Sequence, residues 1–278
     1  SIDNLDNYIH DNRISVKDLY LQISSMGDEK PGIVEGNDLP DFNPDDEYLK
    51  EVKSPIFYAV QKNINIQTGQ PTVMEFDMQR ISQRINIIFN IRTEGNIKKE
   101  DLSAPIIELS GTCGRFNISD ACLDTTRLYR TVHQVQPDEF TQTGEGTYRC
   151  AVHFHTLGII PSAAKGHLNG PGILQVALQV STPQLDAAGA PVLDADGNPV
   201  KNSRYIYGAI NPYDELTAAQ LIEVRDGKTY LRYSKEDVNI EITTPLVIKA
   251  DKIVPNDTGM GWQPHDPSNP DDDIIIEI

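Results

Sequence analysis

Between Val73 and Arg92 the sequence alternates like a β-strand with one buried face, and the alternation changes register once. Met74, Phe76 and Met78 hold even positions. Ile81, Ile85, Ile87, Phe89 and Ile91 hold odd ones, with Arg84, Asn86, Asn90 and Arg92 on the opposite side. A side-chain period of two belongs to strands and not to helices. A slip of one residue sends every side chain to the other face, so Gln79 and Arg80 mark a bulge, a corner between sheets or a turn between two strands.

The same period recurs along the chain. Ile56 to Val60, Ile64 to Ile66, Ile106 to Leu109, Phe116 with Ile118, and Tyr129 with Thr131 and His133 read as strands of a sandwich. In the second half Tyr148 to Ile160, then Leu174, Val176, Leu178 and Val180, and later Val238 to Ile242 and Leu246 to Ala250 do the same. Asp196-Gly197 and Asp226-Gly227 are dipeptides suited to tight hairpins, because such turns need positive φ. Pro212 starts the one strong helical signal, through Ala218, Ala219 and Leu221. Near the N-terminus Ile14 to Val16 and Leu19 to Ile23 look like strand pieces. Gly27 to Glu47 reads as a surface loop, with a short helix starting at Pro44. Gln136 to Thr147, with Pro137, Gly144 and Gly146, reads as a linker and places a domain boundary between residues 1–139 and 140–278.

Length and charge narrow the function classes. A chain of 278 residues is large for one domain. Its net charge of −17 argues against nucleic acid or anionic lipid, whose binding needs clustered Lys and Arg. No apolar run is long enough to cross a bilayer as a helix, and a start at Ser1 without an apolar signal core reads as a processed or trimmed chain. Cys113, Cys122 and Cys150 lack metal or redox spacing and allow at most one disulfide; buried small side chains is the reading favoured for them.

No segment carries a recognisable catalytic signature: GxSxG, Walker, HExxH and GxGxxG patterns are all missing. His153 and His155 share one side of a strand, with His167 farther on, but no carboxylate or thiol spacing completes a metal set, so no cofactor or metal is expected. Asp194 to Asn198 starts like a calcium loop, but Pro199 interrupts it and a hairpin turn fits better. Trp262, in Gly259-Met260-Gly261-Trp262-Gln263, has two readings: a core plug, or an exposed platform for stacking on a sugar ring.

The stretch Met78-Gln79-Arg80-Ile81-Ser82-Gln83-Arg84-Ile85-Asn86-Ile87 resembles the Arg-rich strand of fimbrillin-like proteins. These are surface lipoproteins of Gram-negative gut and oral anaerobes that include fimbrial anchor subunits and adhesins. Ile107-Glu108-Leu109-Ser110-Gly111, leading to Arg115-Phe116-Asn117-Ile118, is similar to the strand and turn that follow in that family, and Gly259 to Gln263 with the acidic run and closing strand is similar to its ending. The resemblance implies an all-β chain of two tandem β-sandwich domains, Greek-key and transthyretin-like, with few short helices. It also implies a surface-exposed outer-membrane lipoprotein, held by a lipid anchor outside this sequence, that acts without catalysis in fimbrial assembly or adhesion. Its partners would be other fimbrial subunits or host and bacterial surface ligands. Family members assemble by strand complementation, and Ile274, Ile276 and Ile278, on one face of the last strand, would be the exchanged residues. The alternative is a surface carbohydrate-binding protein that uses Trp262.

Overall fold

The computed structural model describes residues 8–11, 20–25, 48–61, 64–66, 68–95, 97–250 and 252–265, with backbone alone for 8–11. In chain order the strands are β1 (Tyr8–Asp11), β2 (Tyr20–Ile23), β3 (Phe57–Tyr58), β4 (Gln79–Arg80), β5 (Gln83–Glu94), β6 (Ile106–Asn117), β7 (Cys122–Gln134) and β8 (Phe140–Gly144). They continue as β9 (Thr147–Thr156), β10 (Leu174–Pro183), β11 (Lys201–Ile210), β12 (Ile222–Arg225), β13 (Lys228–Leu231), β14 (Asp237–Lys249), β15 (Lys252–Val254) and β16 (Gln263–Pro264). Among the described residues one α-helix, α1 (Tyr213–Ala219), joins β11 to β12 where Pro212 predicts it. The chain is an all-β sandwich. One sheet runs β12-β13-β7-β6-β10-β11-β16, with β2 also on β6 and β1 on β2; the other runs β15-β14-β5-β9-β8.

The alternation of β5 is the clearest link from sequence to packing. Ile85, Ile87, Phe89 and Ile91 are fully buried, while Arg84 and Arg92 are exposed. Across the sandwich they meet Ile107 and Leu109 of β6 and Leu174, Val176, Leu178 and Val180 of β10, with Ile240, Ile242 and Ile248 of β14 closing the same core. Removing this apolar surface from water is the main stabilising contribution, at roughly 25 cal/mol per Å².

The expected boundary at residues 139 and 140 is not present, because strands from both halves interleave in both sheets. β5 pairs antiparallel with β9 and parallel with β14, and β6 pairs with β10. Splitting the chain there would strip each sheet of central partners and expose the shared core. The predicted linker is itself structured: β8 pairs with β9 through the turn at Glu145 and Gly146.

The register break at Gln79 and Arg80 is a corner between two strands. Among the described residues β4 pairs only with β3, Ile81 N–H donates to Ile56 C=O at 2.8 Å, and Ile81, Ser82 and Gln83 are all buried as the chain turns into β5. Upstream of the corner the expectation fails. Ile64 to Ile66 and Val73 to Met78 belong to no strand, and their apolar side chains lie in solvent.

A second core covers one end of β6. There Tyr58 packs edge-on to Phe116 with ring centroids 5.3 Å apart, and its hydroxyl donates to Ile118 C=O at 2.6 Å. Ile23, Leu49, Val52, Ile81, Leu123, Leu157 and Leu231 fill the rest. The strap from Tyr48 to Val52 is fastened to the sheet by Leu49 N–H on Arg130 C=O and by the Tyr48 hydroxyl, which donates to the fully buried Glu108 carboxylate at 2.7 Å; Arg130 pairs with the same carboxylate. Burying a carboxylate is costly unless it is paired and hydrogen-bonded in this way. The region Gly27 to Glu47, with the helix expected at Pro44, and Ile14 to Val16 lie outside the described residues.

Candidate interaction surface

The segment after β3 has the composition of a core and the exposure of a surface. Ile66 is 75% exposed and Val73 86%, and Phe57, Val60, Ile64, Met74, Phe76 and Met78 are exposed as well. Eight of the twelve large exposed hydrophobic residues among those described therefore fall between Phe57 and Met78. Single exposed apolar residues are ordinary, but so dense a run in one segment makes it a candidate interaction surface. Val73 to Met78 keeps strand alternation, with Met74, Phe76 and Met78 on one side and Glu75 and Asp77 on the other, yet among the described residues it pairs with no strand.

A second exposed element projects from the opposite end of the sandwich. Ala177 of β10 pairs with Ile106, the first residue of β6, and Val180 still bridges to Leu102, so it is the part of the β10–β11 hairpin beyond Val180 that runs past that sheet neighbour. The corner near Tyr58 sits at the other end of β6. Twelve residues of strand separate the two poles by about 40 Å. The hairpin ends in two copies of one eight-residue pattern, Leu185-Asp186-Ala187-Ala188-Gly189-Ala190-Pro191-Val192 and Leu193-Asp194-Ala195-Asp196-Gly197-Asn198-Pro199-Val200.

The copies fold alike. Asp186 Oδ1 accepts from the N–H groups of Ala188 and Ala190 at 2.8 and 2.9 Å, and Asp194 Oδ1 accepts from Asp196 and Asn198 at 2.9 and 2.8 Å. Asp194 is therefore committed to a hairpin-type turn, as its sequence suggests. Leu185 and Leu193 occupy equivalent exposed positions. Self-similarity at a period of eight is the sequence signal that could have found this tip.

Trp262 is not a platform. It is 1% exposed, its ring lies 5.1 Å from that of Phe89, and its Nε1–H donates to Thr244 C=O at 3.0 Å. The residue fills one end of the main core, so no ring face is open to a sugar. Ile274, Ile276 and Ile278 lie outside the described residues.

His153 and His155 do share the outer side of β9, with ring centroids 5.7 Å apart, and His133 of β7 stands 5.7 Å from His153. Each already has a partner. Glu139 contacts His133 Nε2 at 2.7 Å and His153 Nδ1 at 3.4 Å, and His155 Nδ1 donates to Val52 C=O at 2.8 Å. Burial, then the Arg84 guanidinium, push His153 below its ordinary pKa, with Glu139 opposing and the neighbouring imidazoles adding to the fall. His167 sits apart, in the loop whose carbonyl at that residue accepts from Asn211. Among the described residues no group of three or more His, Cys, Asp or Glu is arranged to hold a metal ion. Cys113, Cys122 and Cys150 are buried and free, and burial pushes the Cys113 and Cys150 thiols up to about 12.

Two open cavities are formed by described residues. One of about 610 Å³ is lined by Lys98, Lys99, Glu100, Gln142, Glu145 and Tyr148, with Lys99 Nζ 3.2 Å above the Phe140 ring. The other, of about 630 Å³, lies beside β12 and β13 and near Gln79. No helix among the described residues is long and apolar enough to cross a membrane.

No protein-family model matches the sequence, and no curated protein matches it. A crystal structure of a proposed adhesin from Bacteroides ovatus aligns with 88% of this chain and 71% of its own, at 8% identity and a TM-score of 0.42. At that score the likeness does not establish a shared fold, and it assigns no function.

Proposed function

We propose that the protein is a non-enzymatic, surface-exposed adhesin-like subunit, of the fimbrillin-like kind that its motifs resemble, which joins protein partners by strand complementation. The observation that carries this reading is the exposed alternating segment Val73 to Met78, continued by Ile64 and Ile66. An apolar alternating segment without a strand partner is suited to adding onto another sheet: main-chain hydrogen bonds supply affinity and alternate side chains fill pockets. The net charge of −17 keeps such a chain soluble and away from nucleic acid. Anchoring to the outer membrane by an N-terminal lipid, partnership with fimbrial subunits or surface ligands, and donation of Ile274, Ile276 and Ile278 to a neighbour belong to the same proposal. The carbohydrate alternative lost its platform with the burial of Trp262.

The test is sedimentation and chemical cross-linking of the chain, alone and with fimbrial subunits, against a variant carrying Val73→Ser, Met74→Ser, Phe76→Ser and Met78→Ser. Association by the unmodified chain that the variant loses, with thermal stability kept, supports the proposal. Equal association by both, or none by either, overturns it, as would robust turnover of a defined substrate.

A further inference from the structure

The cavity beside β12 and β13 has an unusual charge arrangement for so acidic a chain. Its wall includes Asp120, Glu223, Arg225, Tyr230, Arg232 and Tyr233. Both carboxylates are already engaged: Lys228 Nζ donates to Asp120 at 2.7 Å, and Arg225 Nε sits 2.8 Å from Glu223. Arg232 is different. It is partly buried, its Nε is fully enclosed without a hydrogen-bond partner, and it has no carboxylate partner among the described residues. Its backbone is held at both groups, by N–H to Leu221 C=O and by C=O from Lys235 N–H, so the root of the side chain is fixed. The wall itself carries two guanidiniums against two carboxylates, and with Asp120 engaged by Lys228 and Glu223 by Arg225, Arg232 is left without a counter-charge on the wall.

A partly buried guanidinium with unused donors is made for a carboxylate, which it can take through two parallel bonds. The rest of the wall narrows the ligand further. Tyr230, with one ring face under the Arg225 guanidinium at 4.4 Å, and Tyr233, half-buried against the second core, contribute amphipathic side chains to the wall, while Gln79 and Ser234 add donors and acceptors. A ligand with one carboxylate and several hydroxyls on a compact ring satisfies all of these groups, and a volume of about 630 Å³ is of the size that small-molecule sites occupy. We infer that this cavity is a binding site for a sugar acid, its carboxylate on Arg232 and its ring against Tyr230 and Tyr233. The site is independent of the apolar segment and of strand complementation.

The test is calorimetric titration and saturation-transfer NMR of the full chain with D-glucuronate, using D-glucose, acetate and tri-aspartate as comparison probes. Glucuronate should bind at least about tenfold more tightly than the other three, the value of one charge-assisted hydrogen bond. Arg232→Gln should abolish the preference over glucose, Arg232→Lys should keep part of it, and Tyr230→Ala should weaken glucuronate. Arg149→Gln, on the exposed side of β9, should change nothing. Melting curves confirm that each variant is folded. No binding of glucuronate, tighter binding of tri-aspartate, or an unchanged preference in folded Arg232→Gln would overturn the inference.

Discussion

Replacing Trp262 separates a core plug from a binding platform by magnitude. The side chain is 1% exposed and lies in the main core against Phe89. Trp262→Ala should therefore cost about 3–5 kcal/mol, the range for truncating a buried aromatic residue. Trp262→Phe keeps much of the apolar volume but leaves Thr244 C=O without the indole N–H at 3.0 Å, a loss of about 1–3 kcal/mol. The tilted pair with Phe89 should give a coupling of about 0.5–1.5 kcal/mol in a double-mutant cycle with Phe89→Leu. Urea unfolding followed by circular dichroism measures all three. Because Trp262 is the only tryptophan, native emission and acrylamide quenching of the unmodified chain report its burial directly. A red, freely quenched emission would refute the packing described, and so would a Trp262→Ala loss below about 1 kcal/mol, which is what a surface site gives.

Thiol chemistry gives a second check: with Cys113 and Cys150 held at about 12 and Cys122 buried, a thiol reagent near neutral pH should label no cysteine in the native chain and all three in urea. Stability should fall on acidification through His153. Its folded pKa lies below the ordinary 6.5, so its contribution is complete above that value and is lost as pH falls through the folded pKa, where the unfolded chain takes the proton first. The gap between urea midpoints at about pH 7.5 and about pH 5.5 should narrow in His153→Gln, and an unchanged gap would contradict this. Gly111→Ala should cost roughly 2–5 kcal/mol in the same assay, since φ is +80° there and a Cβ would stand 2.6 Å from Gly172 N. The four serine substitutions in Val73 to Met78 should leave stability within about 0.5 kcal/mol while removing association.

What could be read from the sequence was local. The alternation of Ile85 to Ile91, the face of Leu174 to Val180, the hairpin at Asp226-Gly227 and the helix after Pro212 all stand in the structure, because each depends on strand or helix period and turn chemistry within a few residues. The exposed apolar segment was misread as buried strand for the same reason. Met74, Phe76 and Met78 alternate as well as Ile85, Ile87 and Phe89 do, and period two names an apolar face without naming what covers it. The repeated turn at Asp186 and Asp194 was legible as self-similarity, whereas the Arg232 cavity was not, since its wall joins residues from Gln79 to Ser234.

The sequence by itself determined that this chain would build packed β-sheets, where most strands begin and turn, and that its surface would be strongly acidic. Only the tertiary structure decided that both halves weave into one sandwich, that the corner at Gln79 and Arg80 leaves an apolar segment outside it, and that Trp262 is core. The physical reason is that strand pairing and burial are settled by partners far away in the chain, such as β5 against β9 and β14, while the sequence displays only the pattern each strand brings to that pairing.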